Sequence, residues 1–296
     1  MRIPSVWAVA GLAVLVAVSG CGTESSPGPA AGAASASPSS SRTPSRTPDR
    51  PEAAEDGPAG LSARAEAAMG AEAGWTFAVT GEESLTQSGA HASTASYSAV
   101  VERTGSPRAL HQKGTILRKG RRTAEELFAV DGTGYVREGG SGAPWRKGPL
   151  TDPEIAAKVE DPLTALDAFA DYAGRGERIE VSRTGGEIRL RVRISAGHLS
   201  DRTERPAVAE AAREFRPTLD KLRKAGVTAG EERIVLTGLE ETLVLDARTH
   251  RMTSYRSSFG FAVPHEGRQL RYEQRLGADT PSPFTGRIEV PAAASS

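Results

Sequence analysis

Apolar and polar residues alternate most cleanly over Glu187–Ile194, where Ile188, Leu190, Val192 and Ile194 face one way and Glu187 with three arginines the other. A period of two with one dry and one wet face predicts a strand in an antiparallel sheet covered on one side only. Trp75-Thr-Phe77-Ala-Val79 follows the same rule, and Tyr97, Ala99 and Val101 continue it. Ile116-Leu117 marks another strand. The apolar run 127–130 leads into Asp131-Gly132, a two-residue hairpin signal, and then Tyr135-Val136. Further strands are expected around residues 234–236, 243–245, 253–261 and 270–276, with 246–250 as the loop between two of them.

Three segments break this pattern with a helical period. Ser62 is placed to cap a short helix carrying Leu61, Ala65, Ala68 and Met69. Asp161-Pro162 opens a second, with Leu163, Leu166, Phe169 and Ala170 on one face and Gly174 as its stop. The third runs from about Pro206 to Ala225 on a stripe of Val208, Ala212, Phe215, Leu219 and Leu222, and Pro217 should kink or split it near Phe215. The order is helix, about five strands, helix, two strands, helix, then four or more strands. That predicts an α+β fold built on a single large, curved antiparallel sheet. No repeat of 20–50 residues argues for a solenoid or propeller.

Composition changes the picture at the N-terminus. The chain has 296 residues, only 38% of them hydrophobic and 5% aromatic, and one cysteine. Met1-Arg2 precedes an apolar run over residues 6–18, the length of a signal-peptide core and too short to span a bilayer comfortably. It ends in Val18-Ser19-Gly20-Cys21, which resembles the lipobox of bacterial lipoproteins. The resemblance implies cleavage before Cys21 and attachment of diacylglyceryl and acyl groups such as palmitate to it. Two or three chains hold a protein to a membrane far more firmly than one. Residues 22–60 contain seven prolines, many Ser, Ala and Gly, and no Leu, Ile, Val, Phe, Tyr or Trp. Such a stretch cannot bury enough apolar area to offset its ordering entropy, and it reads as a disordered tether. The expected organisation is a signal peptide over 1–20, lipidated Cys21 and tether over 21–60, one domain over 61–291 and a disordered tail over 292–296. The chain is then anchored on the outer face of the cytoplasmic membrane, with its domain extracytoplasmic.

Charge narrows the partners. The chain carries 37 basic and 37 acidic side chains, and the balance persists beyond residue 60, so no nucleic-acid partner is expected. The densest basic run, Arg118-Lys119-Arg121-Arg122 around Gly120, is expected at a hairpin tip, in solvent or against anionic lipid headgroups.

A lipobox, a tether and a helix-led antiparallel sheet together resemble the actinobacterial LppX/LprG lipoproteins and their relative, the periplasmic carrier LolA. Three local features carry the likeness: the Asp131-Gly-Thr-Gly-Tyr135 hairpin followed by Trp145-Arg-Lys-Gly148, the Val244-Leu-Asp-Ala-Arg-Thr249 strand-to-turn step, and Asp161-Pro162-Leu163 opening a helix. The resemblance spans roughly residues 61–290. It implies a half-barrel with helices packed on its concave face.

Catalytic motifs are missing from the sequence. There is no Gly-x-Ser-x-Gly, no His-Glu-x-x-His, no phosphate-binding glycine loop and no calcium loop. Asp246 and His250 are expected to share a local hydrogen bond in a turn. The carboxylate pairs Glu125-Glu126, Glu231-Glu232 and Glu240-Glu241 read as solvated strand faces. No metal, no cofactor and no enzyme activity are therefore expected. The leading expectation is a lipoprotein that binds or carries a lipid or other hydrophobic ligand. Its cavity would be lined by Trp75, Phe77, Val79, Phe128, Val130, Leu166, Phe169, Leu243 and Leu245. The alternative is a non-enzymatic envelope sensor of the same fold that binds a partner protein. A cell-wall enzyme would need carboxylates or Ser/His groups converging in a cleft.

Overall fold

Paired residues in the left-handed conformation set the turns from which the sheet is built. Asp131 and Gly132 have φ of 49° and 76° and join β4 (Arg121–Val130) to β5 (Thr133–Glu138), and Lys119 and Gly120, at 49° and 74°, join β3 (Ala109–Arg118) to β4. These are the mirror-image turns whose twist matches that of the strands, and glycine at the second position takes positive φ without a Cβ clash. The basic run therefore does sit at a hairpin tip.

In this computed structural model the structure describes residues 57–88 and 91–295. The signal peptide, Cys21 and the tether up to Asp56 lie outside the described residues. The described residues start with α1 (Pro58–Gly70), followed by β1 (Gly74–Gln87), β2 (Ser93–Thr104), β3, β4, β5 and β6 (Arg146–Pro149). A one-turn α2 (Pro153–Ala156) and α3 (Thr164–Gly174) come next, then β7 (Ile179–Thr184), β8 (Glu187–Ile194) and the short β9 (Gly197–His198). The long α4 (Pro206–Lys224) leads to β10 (Val235–Asp246), β11 (Met252–His265) and β12 (Arg268–Pro283). Residues Ala292–Ser295 form one last helical turn, α5, with Ala294 buried, so regular structure extends past Pro291.

All pairings are antiparallel, and the twelve strands form one sheet in the order β6-β5-β4-β3-β2-β1-β12-β11-β10-β8-β7, with β9 beside β10. The first and last strands in this order do not pair, so the fold is an α+β open, curved sheet, as the patterning predicts. Register shifts at 76/78 in β1 and 236/238 in β10 mark bulges, which bend strands and increase their twist.

One face of the sheet is dry. On it lie Trp75, Phe77 and Val79 of β1, Tyr97 and Val101 of β2, all four apolar residues of β8, Leu239, Leu243 and Leu245 of β10, and Phe259 and Phe261 of β11. Helix stripes close over this face: Leu61, Ala65 and Met69 of α1, Leu166, Phe169 and Tyr172 of α3, and Val208, Phe215, Leu219 and Leu222 of α4. Each fully buried large side chain contributes about 1.5–3 kcal/mol. The Trp75 indole N–H donates to the Met69 carbonyl (2.7 Å), tying α1 to the first strand. On the opposite face, the β8 arginines 191 and 193 both bond the Glu240 carboxylate, at 2.6 and 3.0 Å.

Several details differ from the sequence reading. Helix α1 starts at Pro58, whose fixed φ suits a first helical position, so Ser62 lies inside the helix and caps nothing. Helix α4 continues past Pro217 as one element, held by its buried stripe on both sides of the proline. The segments at 234–236 and 243–245 belong to the single strand β10, because the bulge at Gly238 and the alternating Glu240-Glu241-Thr242 carry the chain between them. Three strands, not four, follow α4.

Candidate functional site

The most informative residues are polar ones on the dry face. In a strand, adjacent residues point to opposite faces, so a carboxylate doublet must place one member inside. That holds for two of the three doublets. Glu126 and Glu240 face outward to arginines, while Glu125 and Glu241 are each 4% exposed. The expectation of solvated pairs holds only for Glu231-Glu232, which lie on an exposed 3-10 turn.

Each inward carboxylate is held differently. Glu125 pairs with the buried Lys158 at 2.7 Å, and Lys158 also bonds Glu138. Burial alone would lower the Lys158 pKa, but these two carboxylates outweigh it and hold the ammonium above its ordinary value. Glu241 accepts from the hydroxyls of Tyr172 (3.3 Å) and Tyr255 (3.2 Å). Burial pushes its carboxyl up to about 7 against those bonds. Glu214 of α4 accepts from the Gln274 amide (2.8 Å), and Gln274 in turn accepts from the Tyr272 hydroxyl (2.6 Å), which lies 3.3 Å from Glu83.

Glu160 sits on the connection between α2 and α3, and Gln112 of β3 fixes that connection. The Gln112 amide donates to the Lys158 carbonyl (2.9 Å), and its oxygen accepts from the Glu160 backbone N–H (3.0 Å). The buried amide thus acts as a short extra rung on the sheet. Asp161, next in sequence, accepts from Arg103 (2.9 Å) and Arg108 (3.0 Å) and braces the turn into α3 through the Leu163 N–H (3.3 Å).

Two cavities lie beside this connection. The larger, about 470 Å³, is set between α3, α4 and strands β1, β11 and β12. Its walls combine Val79, Ala165, Leu276 and Ala278 with Glu160, Glu210, Glu214, Tyr172 and Tyr255. The smaller, about 360 Å³, is lined chiefly by Leu110, Ala129, Val130, Leu150 and Val159. Arg108, Asp161 and Thr164 stand in the walls of both. Their volumes fall in the range of about 300–1,000 Å³ usual for small-molecule sites. A wider recess of about 700 Å³ at the β1–β2 hairpin includes no helix residue in its lining, which comes from strands and turns. It is a sheet-end groove and not the candidate site.

Of the nine residues expected to line a cavity, Val79 lines the larger one and Val130 the smaller. Trp75, Phe77, Leu166, Phe169, Leu243 and Leu245 pack into the core. Phe128 lies on the opposite face, its ring stacked on His111 at 4.3 Å and tilted against Trp145 at 5.7 Å. Around it, His111 bridges Glu102 (3.1 Å) and Glu126 (3.2 Å). Cys21 lies outside the described residues. Asp246 does serve a turn, accepting from the Thr249 N–H (2.7 Å) and the Arg248 N–H (3.1 Å), while the His250 N–H donates to its carbonyl (2.8 Å). Among the described residues, no cluster of His, Cys, Asp and Glu has the arrangement of a metal site, and no helix is long and apolar enough to cross a membrane.

No protein-family model matches the chain, and no curated protein matches it either. Solved structures similar to it include the YwiB protein of Bacillus subtilis (6% identity, 71% of this chain and 95% of that one, TM-score 0.21). A β-barrel-like DUF1849 protein from Brucella abortus has 5% identity over 71% of this chain and 99% of that one, with a TM-score of 0.24. A DUF1329 family protein from Desulfovibrio piger has 9% identity over 78% and 93%, with a TM-score of 0.26.

Proposed function

We propose that the protein is an extracytoplasmic lipoprotein, anchored through an acylated Cys21, that binds an amphiphilic ligand between the concave face of its sheet and helices α3 and α4. The observation that carries this reading is the pair of adjoining cavities, one mostly apolar and one lined by carboxyl, arginine and tyrosine groups, meeting at Arg108, Asp161 and Thr164. The apolar cavity takes the ligand's tail. About 360 Å³ equals roughly a dozen water volumes of about 30 Å³ each, room for a single chain. Each methylene buried there contributes about 0.8 kcal/mol, so retention needs no catalytic group. The lipobox-like Val18–Cys21 and the tether support the location, and the likeness to LppX/LprG and LolA supports the class of ligand.

The test is native mass spectrometry of the full chain carrying Cys21→Ser, purified from its host without detergent. A defined mass adduct of a single-chain amphiphile is expected, and it should be lost in Ala129→Phe, which fills the smaller cavity. A clean unliganded mass across repeated preparations would refute the reading.

A further inference from the structure

We infer that the larger cavity receives the cationic end of its ligand, an alkylammonium group that pairs with Glu160. The inference rests on the amphiphile-binding reading and specifies the chemistry of its polar end. Glu160 is 5% exposed and lines the cavity. Its backbone N–H is taken by Gln112, but among the described residues its carboxyl group has no hydrogen-bond or ion-pair partner. A buried carboxylate without a partner is costly, and a ligand that supplies the missing charge removes that cost.

The cations on the cavity wall are already committed. Arg108 bonds Asp161 (3.0 Å), Arg175 reaches Asp171 (3.5 Å) and Arg213 bonds Glu210 (2.5 Å). Glu214, lining the same space, accepts from the Gln274 amide and feels the nearby Arg213 charge, whereas the charges that act on Glu160 are the acidic Glu214, Glu125 and Asp161. Tyr172 and Tyr255 add aromatic surface, which attracts ammonium groups. An anionic headgroup would face the Glu160 and Glu214 carboxyls, and among the described residues no cluster has the arrangement of a metal site.

The empty site has a further property. Burial, with Glu214, Glu125 and Asp161 nearby, raises the Glu160 carboxyl well above its ordinary pKa. The groups around it are Glu214 on α4, Tyr97 on β2, the Glu125–Lys158 pair and Asp161 with Arg103 and Arg108, and the cavity wall adds Asp167, Asp171, Tyr172 and Arg175 of the α3 segment, Glu210 and Arg213 of α4, and Tyr255 of β11. Burial thus favours the neutral carboxyl in the empty cavity, and an ammonium ion beside it favours the ionised form, so its binding draws the proton off.

The experiment is titration calorimetry at pH 7 with octylammonium, octanol and octyl sulfate on the full chain carrying Cys21→Ser, in buffers of different ionisation enthalpy. Octylammonium is expected to bind at least tenfold more tightly than octanol, with octyl sulfate weakest and net proton release only on ammonium binding. Glu160→Gln should bring octylammonium to the affinity of octanol and abolish the proton release. Equal affinity for octylammonium and octanol would overturn this inference while leaving amphiphile binding in place, and so would selectivity unchanged in Glu160→Gln. If the folded protein binds none of the three, both fall. Should Glu160→Gln fail to fold, the preference of the unsubstituted chain decides, with Glu214→Gln expected to weaken that preference.

Discussion

Replacing Gln112 by methionine keeps the side chain's length and nearly its volume but removes two hydrogen bonds to buried backbone groups. Gln112 is 1% exposed, and it satisfies the Lys158 carbonyl and the Glu160 N–H on a connection with no strand of its own. A buried backbone group left without a partner costs about 1–3 kcal/mol, so two cost about 2–6 kcal/mol, less whatever water recovers at the cavity wall. With an urea m-value near the upper end of about 1–3 kcal/mol/M for a domain of this size, the unfolding midpoint falls by roughly 1–2 M. Equilibrium urea unfolding, followed by tryptophan fluorescence with buried Trp75 as a reporter, reads this directly. The slope should stay unchanged. A midpoint within about 0.2 M of the parent would refute the claim that Gln112 holds the connection, and with it the fixed placement of Glu160.

Stability should decline as pH rises from about 4.5 to 7. The buried Glu241 carboxyl, pushed up to about 7, retains a proton in the folded state that the unfolded chain has already lost above its ordinary value of 4.5. Each such proton gives a slope of about −1.4 kcal/mol per pH unit, and Glu160 and Glu214 act with the same sign. Glu126, Glu138 and Glu240, held below their ordinary values, act only under pH 4.5, and Lys158 only above 10.5, so none cancels the trend in this window. Glu241→Gln should flatten the slope, and an unchanged profile in denaturant unfolding across pH 5–7 would contradict the assignment. Phe169→Ala, at a fully buried position on α3 beside Tyr172, should cost about 3–5 kcal/mol by urea unfolding, where a loss under 1 kcal/mol would mean that α3 is not part of the core. Cys21→Ser should move the protein from the washed membrane fraction to the soluble extracytoplasmic fraction, whereas persistence in the membrane would remove the anchor from the account.

The sheet was readable because period-two alternation and two-residue turns act locally. The β8 pattern and the Asp131-Gly132 and Lys119-Gly120 turns stand as the residues alone imply. The facing of β4 was not readable, since residues 127–130 are apolar at every position and either phase satisfies the pattern. The structure turns Leu127 and Ala129 inward with Glu125 and leaves Phe128 against His111. The buried acids were missed for a similar reason. A carboxylate looks like a surface residue until its partner appears, and that partner lies far along the chain: Lys158 for Glu125, Tyr172 and Tyr255 for Glu241. The one usable signal was the acidic doublet inside a strand, which forces one member to each face. Glu160 carried no signal of its own, because its burial depends on Gln112, 48 residues earlier.

Photo-crosslinking tests most directly whether the ligand lies in the two cavities. A long-chain alkylammonium bearing a diazirine near its tail end, irradiated with the folded chain, should label the peptides that contain Leu110, Ala129, Val130, Leu150 and Val159. Excess octylammonium should suppress that labelling. Labelling confined to the outward face around Phe128 and Trp145, or none on a folded protein, would contradict it.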